Sequence, residues 1–213
     1  MAHKVLPPIC LNEEAAENSG IVLPSFTLAP FAGRTPLDEV STDLVLMTKL
    51  YRHDIPAALH VSEPSAAELL KSSIGEEFSG KRGQVSLLQS TLPNSQGEPG
   101  RYFLLYGLGP EQHYGGRTTC ALFETFFKQA LELGVAHVTV PFIPNPMTKN
   151  SMTHRATAFK LKHVLRQVLR AWQGPVPLRE VTLYCTPAAV RHIKAGLQIE
   201  LPEGGCPCES KRK

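Results

Sequence analysis

No stretch of this chain approaches the ~18 consecutive apolar residues that a bilayer-spanning helix requires. The apolar segment Ile21–Ala32 is interrupted by Pro24 and Pro30. The opening MAHKVLPPICLNEEAAENSG carries acids where a secretory signal needs an apolar centre. A cytoplasmic protein with no membrane partner is the expectation. Cysteine is sparse and odd in number, at 10, 120, 185, 206 and 208, which argues against a disulfide framework. Cys120 and Cys185 fall in a predicted helix and a predicted strand and read as buried thiols. Cys206 and Cys208 lie in a polar tail and supply two thiols where a structural zinc site needs four ligands. None of the eight histidines forms a pair spaced four apart, and no Gly-x-Ser-x-Gly elbow is present. No metal or other cofactor is implied.

Acidic residues are missing from one long stretch. None occurs between Glu132 and Glu180, a gap that holds Lys149, Arg155, Lys160, Lys162, Arg166, Arg170 and Arg179. Residues 1–79 carry eleven acids and five bases, whereas residues 80–213 carry seventeen bases and eight acids. A polarised chain of this kind either presents a surface for an acidic partner or neutralises itself between its two halves.

What is present is a patterned middle. Residues 1–40 are rich in Pro, Ala, Glu and Ser without sustained periodicity, and read as an extended or partly disordered leader with a short strand near Ile21–Leu28. Asp43–Thr48 is the first clear strand. Ser65-Ala-Ala-Glu68 has the spacing of a capping box, so a short helix is expected there, ending before Gly75. The strand QVSLLQS and the run Tyr102–Tyr106 flank a loop at 94–100 and are expected to form a hairpin. In the helix that follows, Cys120, Phe123, Phe127, Ala130 and Leu131 recur at intervals of three and four, and Gly134 is placed to end it in a left-handed conformation.

Val135–Phe142 is the next strand. The helix beyond it carries the stripe Ala158, Leu161, Leu165, Val168 and Trp172, with Lys160, Lys162, Arg166 and Arg170 largely off that stripe and His154 and His163 on its wet side. Glu180–Thr186 is the last strand, and Thr186 with Pro187 opens a final helix whose Val190, Ile193 and Leu197 face inward. Residues 202–213 read as a mobile tail. The order β-α-β-β-α-β-α-β-α predicts a three-layer α/β/α sandwich with a mixed central sheet, formed by residues 41–201.

Three pieces resemble the N-terminal, non-catalytic domain of the leucyl aminopeptidase family: FSGKRGQVSLL, the strand ending Gly107-Leu108-Gly109, and the helix and strand through Phe142. The resemblance implies a macro-like fold, related to domains that bind ADP-ribose. It carries over no catalytic residue, because the run Asn-Thr-Asp-Ala-Glu-Gly-Arg that marks the family's di-metal half does not occur in the sequence. A stand-alone binding domain without peptidase activity is therefore the expectation. Two modes are open. In the first, the basic helix docks an acidic protein, or a second copy of the chain, through Lys160, Arg166 and Arg170. In the second, a small anionic ligand, nucleotide- or ADP-ribose-like, sits at the C-terminal ends of the strands near Gly107, Gly109, Gly116 and Arg117, where glycine turns expose backbone amides. The loop IPNPMTKNSM, with two prolines and no glycine, is ill suited to cradle a diphosphate. A third possibility is the remnant of an aminopeptidase that works with a separate catalytic chain. The basic clusters Lys81-Arg82 and Lys211-Arg212-Lys213 are short, and the second reads as a solubilising tail more than a nucleic-acid arm.

Overall fold

The computed structural model describes residues 9–11, 21–30, 37, 40–54, 61–74, 78–142 and 153–200. Seven strands form one sheet: β1 (Ile9–Leu11), β2 (Ser25–Pro30), β3 (Leu44–Leu50), β4 (Val85–Gln89), β5 (Tyr102–Gly109), β6 (His137–Phe142) and β7 (Glu180–Cys185), in the order β1-β2-β7-β6-β3-β5-β4. β2, β7, β6, β3 and β5 run parallel, while β1 and β4 pair antiparallel at the two edges. Among the described residues four helices cover the sheet: α1 (Pro64–Ser73), α2 (Gly116–Glu132), α3 (His154–Ala171) and α4 (Val190–Leu197). The mixed α/β/α sandwich expected from the element order is the observed architecture.

The pleat sorts the core into two layers. Leu44, Leu46, Leu104, Tyr106, Val138, Val140, Val181 and Leu183 face α2, α3 and α4, where Phe123, Phe126, Phe127, Leu161 and Leu165 meet them. Val45, Met47, Phe103, Leu105 and Tyr184 face the other side, against Ala66 and Leu70 of α1, Phe78 and Leu37. Alternate side chains of β3 and β5 thus supply both layers, as a strand covered on both faces must. Gly134 takes the left-handed conformation (φ 70°) expected at the end of α2.

Three local expectations change. The short strand expected near Ile21–Leu28 is Ser25–Pro30, shifted toward the C-terminus, and it pairs residue for residue with Glu180–Cys185. α1 is capped two residues earlier than the Ser65 box suggests. Glu63 accepts from the amides of Ser65 (3.1 Å) and Ala66 (2.6 Å), and Pro64 fills the first helical position, where no amide hydrogen is needed. These hydrogen bonds, with one from the Ser65 hydroxyl, hold the Glu63 carboxyl below its usual range. At the other end of the chain, Thr186 makes no side-chain cap, and Pro187–Ala189 forms a short 3-10 turn ahead of α4.

At the N-terminal edge of the sheet, Asp43 accepts hydrogen bonds from the amides of Ser95 (2.9 Å), Ala136 (3.0 Å) and His137 (2.8 Å). Burial by itself would raise its pKa, but the hydrogen bonds from Ser95, His137 and Ala136 prevail and hold it below 3.8. The ionised form is therefore the one that stabilises the fold. Its contribution is complete at neutral pH and is lost as pH falls through 3.8 and then through the lower folded value. Asp43→Asn should cost about 1–3 kcal/mol at pH 7. The deficit should shrink on acidification, as urea melts at pH 7 and pH 3 will show.

Candidate functional site

The connections decide where the sheet opens. β3 leads into α1 on one face, whereas its two neighbours, β5 and β6, lead into α2 and α3 on the opposite face. Chains that part in this way leave a crevice beyond the carboxyl end of the central strand, the usual place for a ligand in an open α/β sheet. By this rule the candidate crevice is at the end of β3.

Its described rim begins with a distorted strand end. The register between β3 and β5 shifts at Lys49/Leu50. The Tyr51 amide donates to the Gly109 carbonyl (3.0 Å), and the His53 amide donates back to Leu50 (3.2 Å). Between them Arg52 holds φ at 64°, the left-handed region that a side chain enters only at a cost. Its guanidinium lies 5.1 Å from the centre of the Tyr51 ring. On the β5 side the chain passes through the turn Glu111–His113 to Gly115 and the head of α2. Lys49 is buried and donates from Nζ to the Ser79 carbonyl (3.3 Å). Lys81 and Arg82 border the end of β5, and Arg117 is exposed in the first turn of α2. The acids Asp54 and Glu111 stand close to these bases in the chain.

The glycines expected to offer amides to an anion do something else. The Gly107 amide donates to Gln84 (2.8 Å) and its carbonyl accepts from Gly83 (2.9 Å), while the Gly109 amide donates to Gly80 (3.0 Å). A Cβ on Gly107 would lie 2.0 Å from the Lys81 carbonyl oxygen. Gly109, at φ 79°, would bring a Cβ 2.7 Å from that of Arg82. Both residues let the turn at 80–83 lie flat against β5, and their amides are already spoken for by that turn. Gly116 and Arg117 do lie at the head of α2, on the crevice side of the sheet. The loop IPNPMTKNSM is outside the described residues, as are Cys206 and Cys208.

The basic helix divides. Arg170 is exposed and Lys160 half-exposed, but Arg166 is only 3% exposed and Lys162 likewise 3%. Lys162 Nζ donates to the Leu197 carbonyl at the end of α4 (2.7 Å), so this flank of α3 is packed against another helix. His163, expected on the wet side, is completely buried, and its ring stacks on Phe159 with centroids 6.2 Å apart. Burial, with Arg166, Lys160 and Arg170 adding to it, lowers its pKa, which keeps the imidazole neutral. The continuous cationic face Lys160–Arg166–Arg170 is therefore broken at its middle member.

Cys185 is buried, which pushes its thiol up to about 11 and removes it as a nucleophile at neutral pH. Among the described residues no three His, Cys, Asp or Glu side chains come together as a metal site, and no helix is long and apolar enough to cross a membrane.

No family model matches the sequence, and no curated protein matches it. Solved structures do. A mutant of the Oceanobacillus iheyensis macrodomain aligns with 90% of this chain and 96% of its own, at a TM-score of 0.56 and 14% identity. The same macrodomain with ADP aligns with 90% of this chain and 95% of its own, at 0.55 and 14%. A mutant of tomato leucine aminopeptidase aligns with 84% of this chain but 36% of its own, at 0.54 and 17%. The fold is macro-like. The chain spans about a third of the length of that aminopeptidase.

Two outcomes follow for variants. Gly107→Ala should destabilise by several kcal/mol, because its Cβ meets fixed backbone rather than a movable side chain. Arg166→Glu, reversing a charge in a buried position, should cost at least about 2 kcal/mol, and Arg170→Glu less than about 0.5 kcal/mol. Thermal melts of the variants measure both. Equal stability of the two arginine variants would contradict the packing of α3 described above.

Proposed function

We propose that this chain is a non-catalytic, macro-like binding domain that takes a small anionic, nucleotide-like ligand in the crevice beyond β3. The observation that carries the reading is Arg52. A cationic side chain is held in a left-handed backbone conformation at a strand end whose crossover parts from those of both neighbours. Strain of that kind persists where the surroundings over-determine it, and it gathers at ligand sites. The exposed cations Arg52, Arg82 and Arg117 suit a phosphate-bearing ligand, and the neighbouring macrodomain with ADP is consistent with one.

A second reading keeps the aminopeptidase resemblance. The chain aligns with the tomato enzyme over most of its own length, which favours a domain of that enzyme's N-terminal type, acting by docking onto another protein. The burial of Arg166 weakens the basic-helix form of that reading, since only Lys160 and Arg170 remain to meet a partner.

Calorimetric titration with ADP and ADP-ribose tests the first reading. Arg52→Gly relieves the left-handed strain but gives up side-chain contacts, so stability should change by less than about 1 kcal/mol. Nucleotide affinity should fall about tenfold, equivalent to ~1.4 kcal/mol, and the loss should narrow at high salt. Absence of heat with either nucleotide, in protein shown to be folded, would sink the reading.

A further inference from the structure

β4 ends the sheet with an open edge. It pairs with β5 on one side and with no other strand among the described residues. At its two ends the Gln84 carbonyl accepts from Gly107 (2.8 Å) and the Ser90 amide donates to Arg101 (2.9 Å). In an antiparallel pair, residues that bond the neighbour alternate with residues that turn away from it. The even-numbered residues of β4 therefore bond β5, and Val85, Leu87 and Gln89 turn their amides and carbonyls outward. Val85 and Leu87 lie opposite Tyr106 and Leu104, on the α2 side of the sheet, and are 42% and 37% exposed.

The residues that usually blunt such an edge are missing. A lysine or proline on an edge strand keeps it from pairing with another chain. No charged residue occurs from Gly83 to Gly97, and β4 itself has no proline. Its five residues are an ordinary strand length. An uncharged strand with outward amides and two exposed aliphatic side chains is able to extend the sheet by one more strand.

The charges that bound this stretch indicate which strand that is. Lys81 and Arg82 stand exposed just before β4, and Glu98 stands exposed in the turn after it. Among the described residues none of these three side chains forms an ion pair. The edge is thus basic at one end, neutral along its length and acidic at the other. A second copy laid antiparallel brings basic end to acidic end twice, whereas a parallel copy sets bases against bases. Full overlap of the five residues places Leu87 against Leu87 of the second copy and Val85 against its Gln89. All of these are outward-facing residues, so their amides and carbonyls meet. Lys81 then falls opposite Pro93 of the second copy, and Pro93 bridges to Pro99, the residue after Glu98. We infer that β4 is the interface of a two-fold dimer of this chain, with one sheet running through both copies.

Sedimentation velocity of the full chain over a concentration series is the test. The mass should rise from one chain toward two as concentration passes through the micromolar range. In nitrogen-15-labelled protein the amides of Val85, Leu87 and Gln89 should gain exchange protection with concentration, while those of Ser86 and Leu88 are protected throughout. Leu87→Lys sets like charges directly opposite each other at the two-fold and should weaken the dimer by about tenfold or more. Leu87→Pro removes an outward amide and should weaken it comparably. Both variants should stay folded by circular dichroism, because β5 uses neither the exposed side chain nor that amide.

Charge reversals probe the contact without altering the strand. Lys81→Glu combined with Arg82→Glu, and separately Glu98→Lys, should each weaken self-association about fivefold. An equimolar mixture of the two variants should recover the wild-type affinity, since only the mixed pair matches charge at both ends. Mixing cannot restore a contact made within one chain. A chain that stays monomeric up to about 1 mM, with the Val85 and Leu87 amides exchanging freely, would overturn the inference and leave the edge to a strand of another protein. A dimer indifferent to both Leu87 variants, or a mixture without recovery, would place the interface elsewhere and overturn it too. None of these readouts depends on nucleotide.

Discussion

The carboxylate of Asp43 is the constraint on which the rest of the fold leans. It stands just before β3 and gathers three amides from two distant places, Ser95 in the loop that joins β4 to β5 and Ala136 and His137 at the start of β6. The backbone of the same residue continues the pattern: its amide donates to His137 and its carbonyl accepts from Tyr102. One residue therefore aligns the starts of β6, β3 and β5 side by side. A parallel sheet has no tight hairpins to set its register, so register has to be fixed by contacts of this kind together with the two buried layers. Thr42 adds to the same junction by donating to the His137 carbonyl (3.2 Å).

Fixing one edge of the sheet frees the other for chemistry. With the starts of the three strands locked, their ends fall at defined heights, and the crossovers depart from there to opposite faces. The α2 crossover joins β5 to β6 across β3, so the head of α2 and the end of β3 confront each other over the crevice. The Asp43 hydrogen bonds thus lie at the starts of the strands, and the left-handed backbone of Arg52 follows the end of β3.

Much of this order was legible in the sequence. The phenylalanines of α2 and the leucines of α3 repeat at helical spacing because each helix buries a single stripe, and Gly134 marks its helix end because the local conformation needs no side chain. What escaped depends on partners far away in the chain. A short strand near Ile21–Leu28 could be read locally, but its partner β7, about 155 positions downstream, could not. Arg166 looks polar on a helical wheel, but its flank of α3 is packed, as the Lys162 bond to the end of α4 makes plain. Long cationic stems tolerate such burial because most of their length is apolar. The glycines of β5 announced a tight approach correctly, but a sequence does not say whether the approaching backbone belongs to a ligand or to the protein's own turn.

The distinction between Gly109 and Arg52 carries the argument about the crevice. Both residues have positive φ at neighbouring strand ends, and Tyr51, beside Arg52, donates to the Gly109 carbonyl. Gly109 must be glycine on two counts, its φ of 79° and the Arg82 side chain that a Cβ would strike. Arg52 satisfies the same backbone demand with the most heavily functionalised cation available. Glycine there would remove the conformational cost, and it would also remove the guanidinium. Packing of the turn at 80–83 accounts for glycine at 109, whereas at 52 an exposed guanidinium accompanies the same backbone conformation.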